Sequence, residues 1–106
     1  MPKYLFTADY TPSGIAGVLK EGGTGRRAMF EQMFAAVGGK MESFYYGFGA
    51  DDLYIIADLP DETAAAAVSM NVAAAGAITM RVTVLLSPET MDEAGKMSVN
   101  YRAPGA

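Results

Sequence analysis

Four segments of the chain place apolar side chains at alternate positions, and segments with apolar residues at helical spacing separate them. The four segments are Lys3 to Tyr10, Lys40 to Phe48, Asp52 to Leu59 and Thr79 to Leu86. A period of two is typical of β-strands, and a period near 3.6 indicates helices. The predicted order of the main elements is therefore βαββαβ.

The helical segments have recognisable ends. The helix before the second strand carries one apolar stripe, formed by Met29, Phe30, Met33, Phe34 and Val37. The helix before the fourth strand begins at Pro60, with acidic residues at the positive end of its dipole, and ends at Gly76. A last short helix is predicted from Ser87, followed by an extended tail over residues 98–106.

This order predicts an α+β, ferredoxin-like fold with a four-stranded antiparallel sheet, strand order 4-1-3-2, and both main helices on one side. We expect a single domain over residues 1–97, followed by the tail. Only Gly49, Ala50 and Asp51 separate the second and third strands, which predicts a tight hairpin. The predicted cross-strand pairs are Phe48 with Asp52, Tyr46 with Tyr54, Phe44 with Ile56 and Glu42 with Asp58.

The sheet is predicted to be apolar on both faces. The rows expected to face the helices are Tyr4, Phe6, Ala8, Tyr10; Leu53, Ile55, Ala57, Leu59; and Met80, Val82, Val84, Leu86. The opposite face would carry Leu5, Thr7, Asp9; Phe44, Tyr46, Phe48; Tyr54, Ile56; and Arg81, Thr83, Leu85. No helix remains to cover that second face, and contiguous apolar patches mark interfaces. We therefore expect a homodimer formed through the sheet, a dimeric α/β barrel.

Charged residues on the second face are predicted to gather in two groups. With Thr7 beside Tyr54 and Thr83, the first group would join Asp9, Asp52 and Arg81 to Thr7, Tyr46, Tyr54 and Thr83. The second group would join Lys3, Asp58 and Glu42. The first group has two interpretations: an ion-pair network that sets the register of the dimer, or a ligand pocket in which Asp9 or Asp52 accepts a proton and Arg81 holds an anion.

A second candidate anion site lies at Arg26 and Arg27, which follow the glycines of Glu21-Gly22-Gly23-Thr24-Gly25 at a helix start. The chain lacks the Gly-Lys-Ser/Thr of a Walker A motif. The alternative interpretation is a flexible connection with solvated arginines.

Composition excludes several classes of function. The chain has no Cys and no His, so we expect no metal, no thiol or imidazole catalysis and no cofactor. Its net charge is −4 and its basic residues are scattered, which argues against nucleic acid as a partner. No segment is apolar and long enough for a signal peptide or a membrane span, so a cytoplasmic location is expected.

Several segments resemble the GYD domain family, and together they cover nearly the whole chain. They are Tyr10 to Gly14, Glu21 to Arg27, Gly38 to Lys40, Glu42 to Asp61, Val84 to Glu89 and Tyr101 to Gly105. The family's Gly-x-Tyr-Asp hairpin is matched by Gly49 and Asp52, but Asp51 stands where the Tyr would be. The resemblance implies a dimeric α/β barrel related to stress-responsive barrel proteins and small monooxygenases, and no settled activity.

The leading hypothesis is a homodimeric module that binds a small ligand or a partner. The alternative is a cofactor-independent enzyme, monooxygenase-like or isomerase-like, that uses the cavity between the sheets. A third hypothesis is an assembly unit whose tail joins dimers into a higher oligomer.

Overall fold

The computed structural model describes residues 1–106, and its elements follow the predicted order. The strands are β1 (Lys3–Tyr10), β2 (Lys40–Tyr46), β3 (Leu53–Asp58) and β4 (Ile78–Leu85). The helices are α1 (Pro12–Glu21), α2 (Gly23–Ala36), α3 (Glu62–Ala75) and α4 (Pro88–Gly95). The strands form one antiparallel sheet in the order β2-β3-β1-β4, the predicted order read from the other edge. The α+β, ferredoxin-like fold is confirmed.

The last two helices begin at side-chain caps. The Asp61 side chain accepts a hydrogen bond from the Ala64 amide at 2.9 Å, and the Ser87 hydroxyl accepts one from the Thr90 amide at 3.1 Å. These bonds satisfy amides that have no partner within the helix. Gly76 ends α3 in the left-handed conformation, with φ of 78°, which a glycine adopts without strain.

The core lies between the sheet and the helices α2 and α3. Buried side chains come from the predicted rows of β1 and β3, such as Phe6 and Ile55, and from Phe30 and Phe34 of α2. The Phe6 and Phe34 rings are 5.3 Å apart between centroids. The predicted helix-facing rows of β1 and β3 and the stripe of α2 are therefore confirmed.

The predicted hairpin between β2 and β3 is wrong by one residue. The pairs observed are Tyr46 with Leu53, Tyr45 with Tyr54, Phe44 with Ile55 and Ser43 with Ile56, and a loop over residues 47–52 joins the strands. A slip of one residue turns each side chain to the opposite face of the sheet. Phe48, predicted to lie within the strand, is fully exposed in the loop.

The slip places Phe44 and Tyr46 on the helix side, which corrects the prediction that they face away from the helices. The Phe44 ring lies 5.7 Å from that of Phe30, and the Tyr46 hydroxyl donates to the Gly23 carbonyl at 3.2 Å. The register shifts between Met41 and Ser43. Such a bulge adds a residue to one strand, so the predicted pairing of Glu42 with Asp58 is replaced by that of Lys40 with Asp58.

The register of β1 is confirmed on one side and corrected on the other. Thr7 pairs with Tyr54, and Lys3 with Asp58, as predicted. On the β4 side, Thr7 pairs with Arg81 rather than Thr83, and Asp9 pairs with Thr79. The offset is two residues, and an even offset keeps every side chain on its predicted face.

The chain after β4 stands apart from the rest of the domain. We name residues 86–106 the C-terminal arm; it contains α4, which has no buried residue, and no helix or strand follows Gly95. The radius of gyration is 17.0 Å, with extents of 56 × 33 × 24 Å. The arm therefore projects from the sheet instead of folding onto it.

Candidate functional site

The sheet surface opposite the helices, here called the open face, has no helix packed on it. Its apolar centre consists of Leu5, Ile56 and Tyr54, all half-buried, with the exposed Tyr45 beside Tyr54. Thr83 lies beside Leu5 and Ser43 beside Ile56, and the half-buried Leu85 lies beside Lys3 at one end of the face. Thr7 lies between Tyr54 and Arg81 in the cross-strand register. Polar groups occupy both ends of this apolar strip.

At the end nearest the β2–β3 loop, Arg81 is held by two carboxylates. Its guanidinium forms an ion pair and hydrogen bond with Asp51, and Nη1 lies 3.8 Å from Asp9 Oδ2. Asp51 is 8% exposed, whereas the Arg81 side chain is 59% exposed. The predicted contact of Asp9 with Arg81 is present in this geometry, but the second acidic partner is Asp51 and not Asp52.

Asp52 instead fastens the loop to β1. Its Oδ2 accepts the Tyr10 amide at 3.0 Å, and its own amide donates to the Ala8 carbonyl at 2.9 Å. These bonds hold the loop against the end of β1, which carries Asp51 over the open face toward Arg81. The residue that departs from the family's hairpin pattern is therefore the one that pairs with Arg81. That departure was the only sign in the sequence that pointed to Asp51.

This end of the open face is negative overall. Asp9, Asp51 and Asp52 stand against one guanidinium, so the formal charge is −2. A nearby negative potential disfavours anions and favours cations and hydrogen-bond donors. That Arg81 holds an anion stays a prediction, and an anion there would compete with the two acids that already match the charge of Arg81.

The other end of the open face carries the second predicted group. Lys3 Nζ donates to Asp58 Oδ1 at 2.9 Å and also to Glu42. These two hydrogen bonds, that to Glu42 first, raise the pKa of Lys3 above its ordinary value. The predicted grouping of Lys3, Asp58 and Glu42 is confirmed.

Of the four uncharged residues predicted for the pocket, three lie on the open face and one does not. Thr7 is the cross-strand neighbour of both Tyr54 and Arg81, and Thr83 lies on the same face, opposite Leu5. Tyr46 lies on the helix side. There, partial burial of the hydroxyl and the neighbouring Tyr10 raise the pKa of Tyr46 to about 12, while 42% of the residue stays exposed.

Arg26 and Arg27 lie on α2, on the helix side of the sheet. Arg26 pairs with Glu21 at 3.7 Å, and its guanidinium lies 5.3 Å from the centre of the Phe30 ring. Arg27 borders shallow depressions beside Phe44 of β2. The two arginines therefore face different neighbours and do not converge on one point.

No group of three or more Asp or Glu side chains is arranged to hold a metal ion. No helix has the length and apolar character needed to cross a bilayer.

No curated protein and no solved structure matches this chain significantly. A family model does: the one described as GYD domain aligns with residues 4–94, from the first strand to the last helix. The matched region includes the hairpin loop with Gly49, Asp51 and Asp52 and all four strands of the open face. The chain therefore belongs to the GYD domain family.

Proposed function

We propose that this protein is a homodimer whose two open faces pack together around a pocket for a small ligand. The observation that carries the proposal is the composition of the open face: an apolar strip without a covering helix, bounded by polar groups at each end. A surface of this kind is costly to leave in water, and a second copy of the same sheet covers it symmetrically.

The ligand that suits this pocket is a small apolar molecule with a hydrogen-bond-donating or cationic head. Leu5, Ile56 and Leu85 supply apolar contacts for its body. Thr7 and Tyr54, which both carry hydroxyls, lie in the same cross-strand row as Arg81, at the end where the carboxylates outnumber the guanidinium. Pockets of this type combine apolar walls with a few polar groups that orient the ligand.

Sedimentation equilibrium of the full chain tests the dimer. Ile56→Glu places a charge in the centre of the open face and should convert the dimer to a monomer, because a buried unpaired charge is expensive. The matched control is Leu19→Glu on α1, whose side chain is 82% exposed on the other side of the molecule. A monomeric parent chain at micromolar concentration would overturn the proposal.

Thermal unfolding with hexylamine, hexanol and hexanoate tests the ligand chemistry. Ligands that bind only the folded state raise the unfolding midpoint, so the amine and the alcohol should raise it and the carboxylate should not. Thr7→Val, which removes one hydroxyl, should reduce these shifts, and Ile56→Glu should abolish them. A larger shift with hexanoate than with hexylamine would contradict the proposed chemistry.

An enzymatic role of the same pocket has one observation in its favour. Asp51 is engaged by Arg81 and Asp52 by the Tyr10 amide, both through hydrogen bonds. Asp9 approaches Arg81 only to 3.8 Å, and its side chain is 39% exposed on the open face. Asp9 is thus the acid with room to accept a proton from a bound molecule. If the protein is an enzyme, Asp9→Asn should abolish turnover and leave the dimer and the affinity for hexanol unchanged.

A further inference from the structure

The isolated chain has more surface than a globular protein of its size. Its accessible area is 7208 Å², whereas about 5,700 Å² is typical of a folded monomer of this mass. Its radius of gyration is 17.0 Å, against about 13 Å for a compact domain of this length. The excess of about 1,500 Å² is comparable to the surface that one protomer contributes to a substantial interface.

Much of the exposed apolar surface belongs to the C-terminal arm and the strand before it. Half of the exposed large apolar side chains come from Val82 onward, and six of these are more than half exposed: Val84, Leu86, Met91, Met97, Val99 and Tyr101. The helix α4 has eight residues and no buried side chain. A helix of this length is not stable alone in water, so it needs a surface to pack on.

A receiving surface of matching character lies on β4. This strand is at the edge of the sheet, so one side of its backbone has no partner strand. On the helix side, Val82 and Val84 are exposed because α3 reaches only the first part of the strand. An exposed apolar edge strand promotes association unless something covers it. The arm of the same chain projects away from this surface and leaves it open.

Charge favours a contact between the end of one arm and the body of another copy. The acidic side chains of the arm, Glu89, Asp92 and Glu93, all lie in α4. Residues 94–106 carry Lys96 and Arg102 and no acidic side chain, whereas residues 1–86 carry nine acidic and six basic side chains. A positive segment and a negative body attract each other.

We propose that the C-terminal arm of each protomer docks on the partner, with its apolar side chains against Val82 and Val84 on the outer surface of the partner's sheet. The inference rests on the proposed dimer of open faces and adds a second contact to it. The arm of each copy then covers the edge strand β4 of the other, so the dimer contains two equivalent arm contacts. The open faces form the pocket and the main contact between the protomers, and the arms strengthen that contact.

The first experiment measures dimer dissociation for full-length variants by sedimentation. Val99→Asp should raise the dissociation constant at least ~10-fold, which corresponds to about 1.4 kcal/mol. Ser98→Asp is the matched control, because it adds the same charge one residue earlier without removing an apolar side chain. A change of no more than about twofold for Val99→Asp, with the parent still dimeric, would overturn the arm contact and leave the open-face dimer standing.

The second experiment locates the contact by cross-linking. The chain has no cysteine of its own, so a maleimide cross-linker reacts at the introduced cysteines. Chains with Val84→Cys and isotopically labelled chains with Val99→Cys are mixed and treated with a short bismaleimide, and the products are identified by mass spectrometry. We expect a cross-linked product that joins the two kinds of chain. Its yield should clearly exceed that of a control mixture of Leu19→Cys chains with labelled Val99→Cys chains. Equal yields would overturn the proposal. A chain that carries Val84→Cys and Val99→Cys together and cross-links within a monomer would overturn it as well.

Discussion

The central strand β3 and the edge strand β4 have the same alternating pattern, but their apolar side chains differ in burial in the isolated chain. Ile55 of β3 is 0% exposed beneath the helices, whereas Val84 of β4, in an equivalent apolar row, is 58% exposed. The difference arises because α2 and α3 cover the middle of the sheet and only the start of β4. Alternation therefore specifies which side of a strand is apolar, and the neighbouring elements determine whether that side is covered.

The comparison predicts its largest effect from truncating these two side chains. Ile55→Ala should lower the free energy of unfolding by about 3 kcal/mol, since it leaves a cavity in the core. Val84→Ala should cost less than about 1 kcal/mol in a monomer, where the side chain already meets water. Urea unfolding at fixed protein concentration measures both.

The same pair of variants also examines the proposed arm contact. A cost for Val84→Ala that grows with protein concentration, and that disappears in the monomeric Ile56→Glu background, is expected if the partner covers this position. A cost independent of concentration would contradict such a contact.

The two ends of the open face provide the second comparison. Arg81→Met leaves the buried Asp51 without its partner, and we expect a loss of about 2 kcal/mol in the free energy of unfolding, because an unsatisfied buried group keeps its desolvation cost. Lys3→Met removes an exposed cation whose acidic partners remain hydrated, and its effect should be smaller. Equal losses of unfolding free energy in urea would show that the Asp51–Arg81 pair stabilises the fold no more than the ion pairs of Lys3 do.

Neighbouring tyrosines of β2 give the third and smallest prediction. Tyr46 faces the helices, and its pKa is raised to about 12 from an ordinary 10.0. Because the folded protein resists this ionisation more than the unfolded chain, stability that is present below pH 10 should decline as the pH rises toward about 12. Absorbance titration at alkaline pH should show one late tyrosine, which Tyr46→Phe removes and Tyr45→Phe does not. The same late step in both variants would contradict the assignment.

Most of the fold was predictable because it depends on local periodicity. The rows of β1 and β3, the stripe of α2 and the cap residues Asp61 and Ser87 are each recognisable within a few positions. The error at β2 arose because Phe44, Tyr45 and Tyr46 are three aromatic residues in a row. Both faces of the strand therefore carry aromatic side chains, and alternation cannot show which face is buried. The loop and the bulge then determined which of them face the helices.

The candidate site was predictable in composition and only partly in its contacts. Asp9 and Arg81 were expected together and lie 3.8 Å apart, and Lys3 meets Asp58 and Glu42 as expected. Asp51 was missed because a loop residue has no period from which its direction can be deduced. Its position depends on Asp52, whose bonds to the end of β1 could be seen only in the folded chain.

The sequence by itself determined the order of elements and the apolar character of both sheet faces, because these follow from spacing within single segments. It also determined the antiparallel sheet, because a βαββαβ order with right-handed crossovers leaves few ways to connect the strands. The tertiary structure alone decided the register of β2, the partner of Arg81 and the projection of the C-terminal arm. Each of these depends on contacts between separate segments. Loop geometry and packing between elements that are distant in the chain determine those contacts.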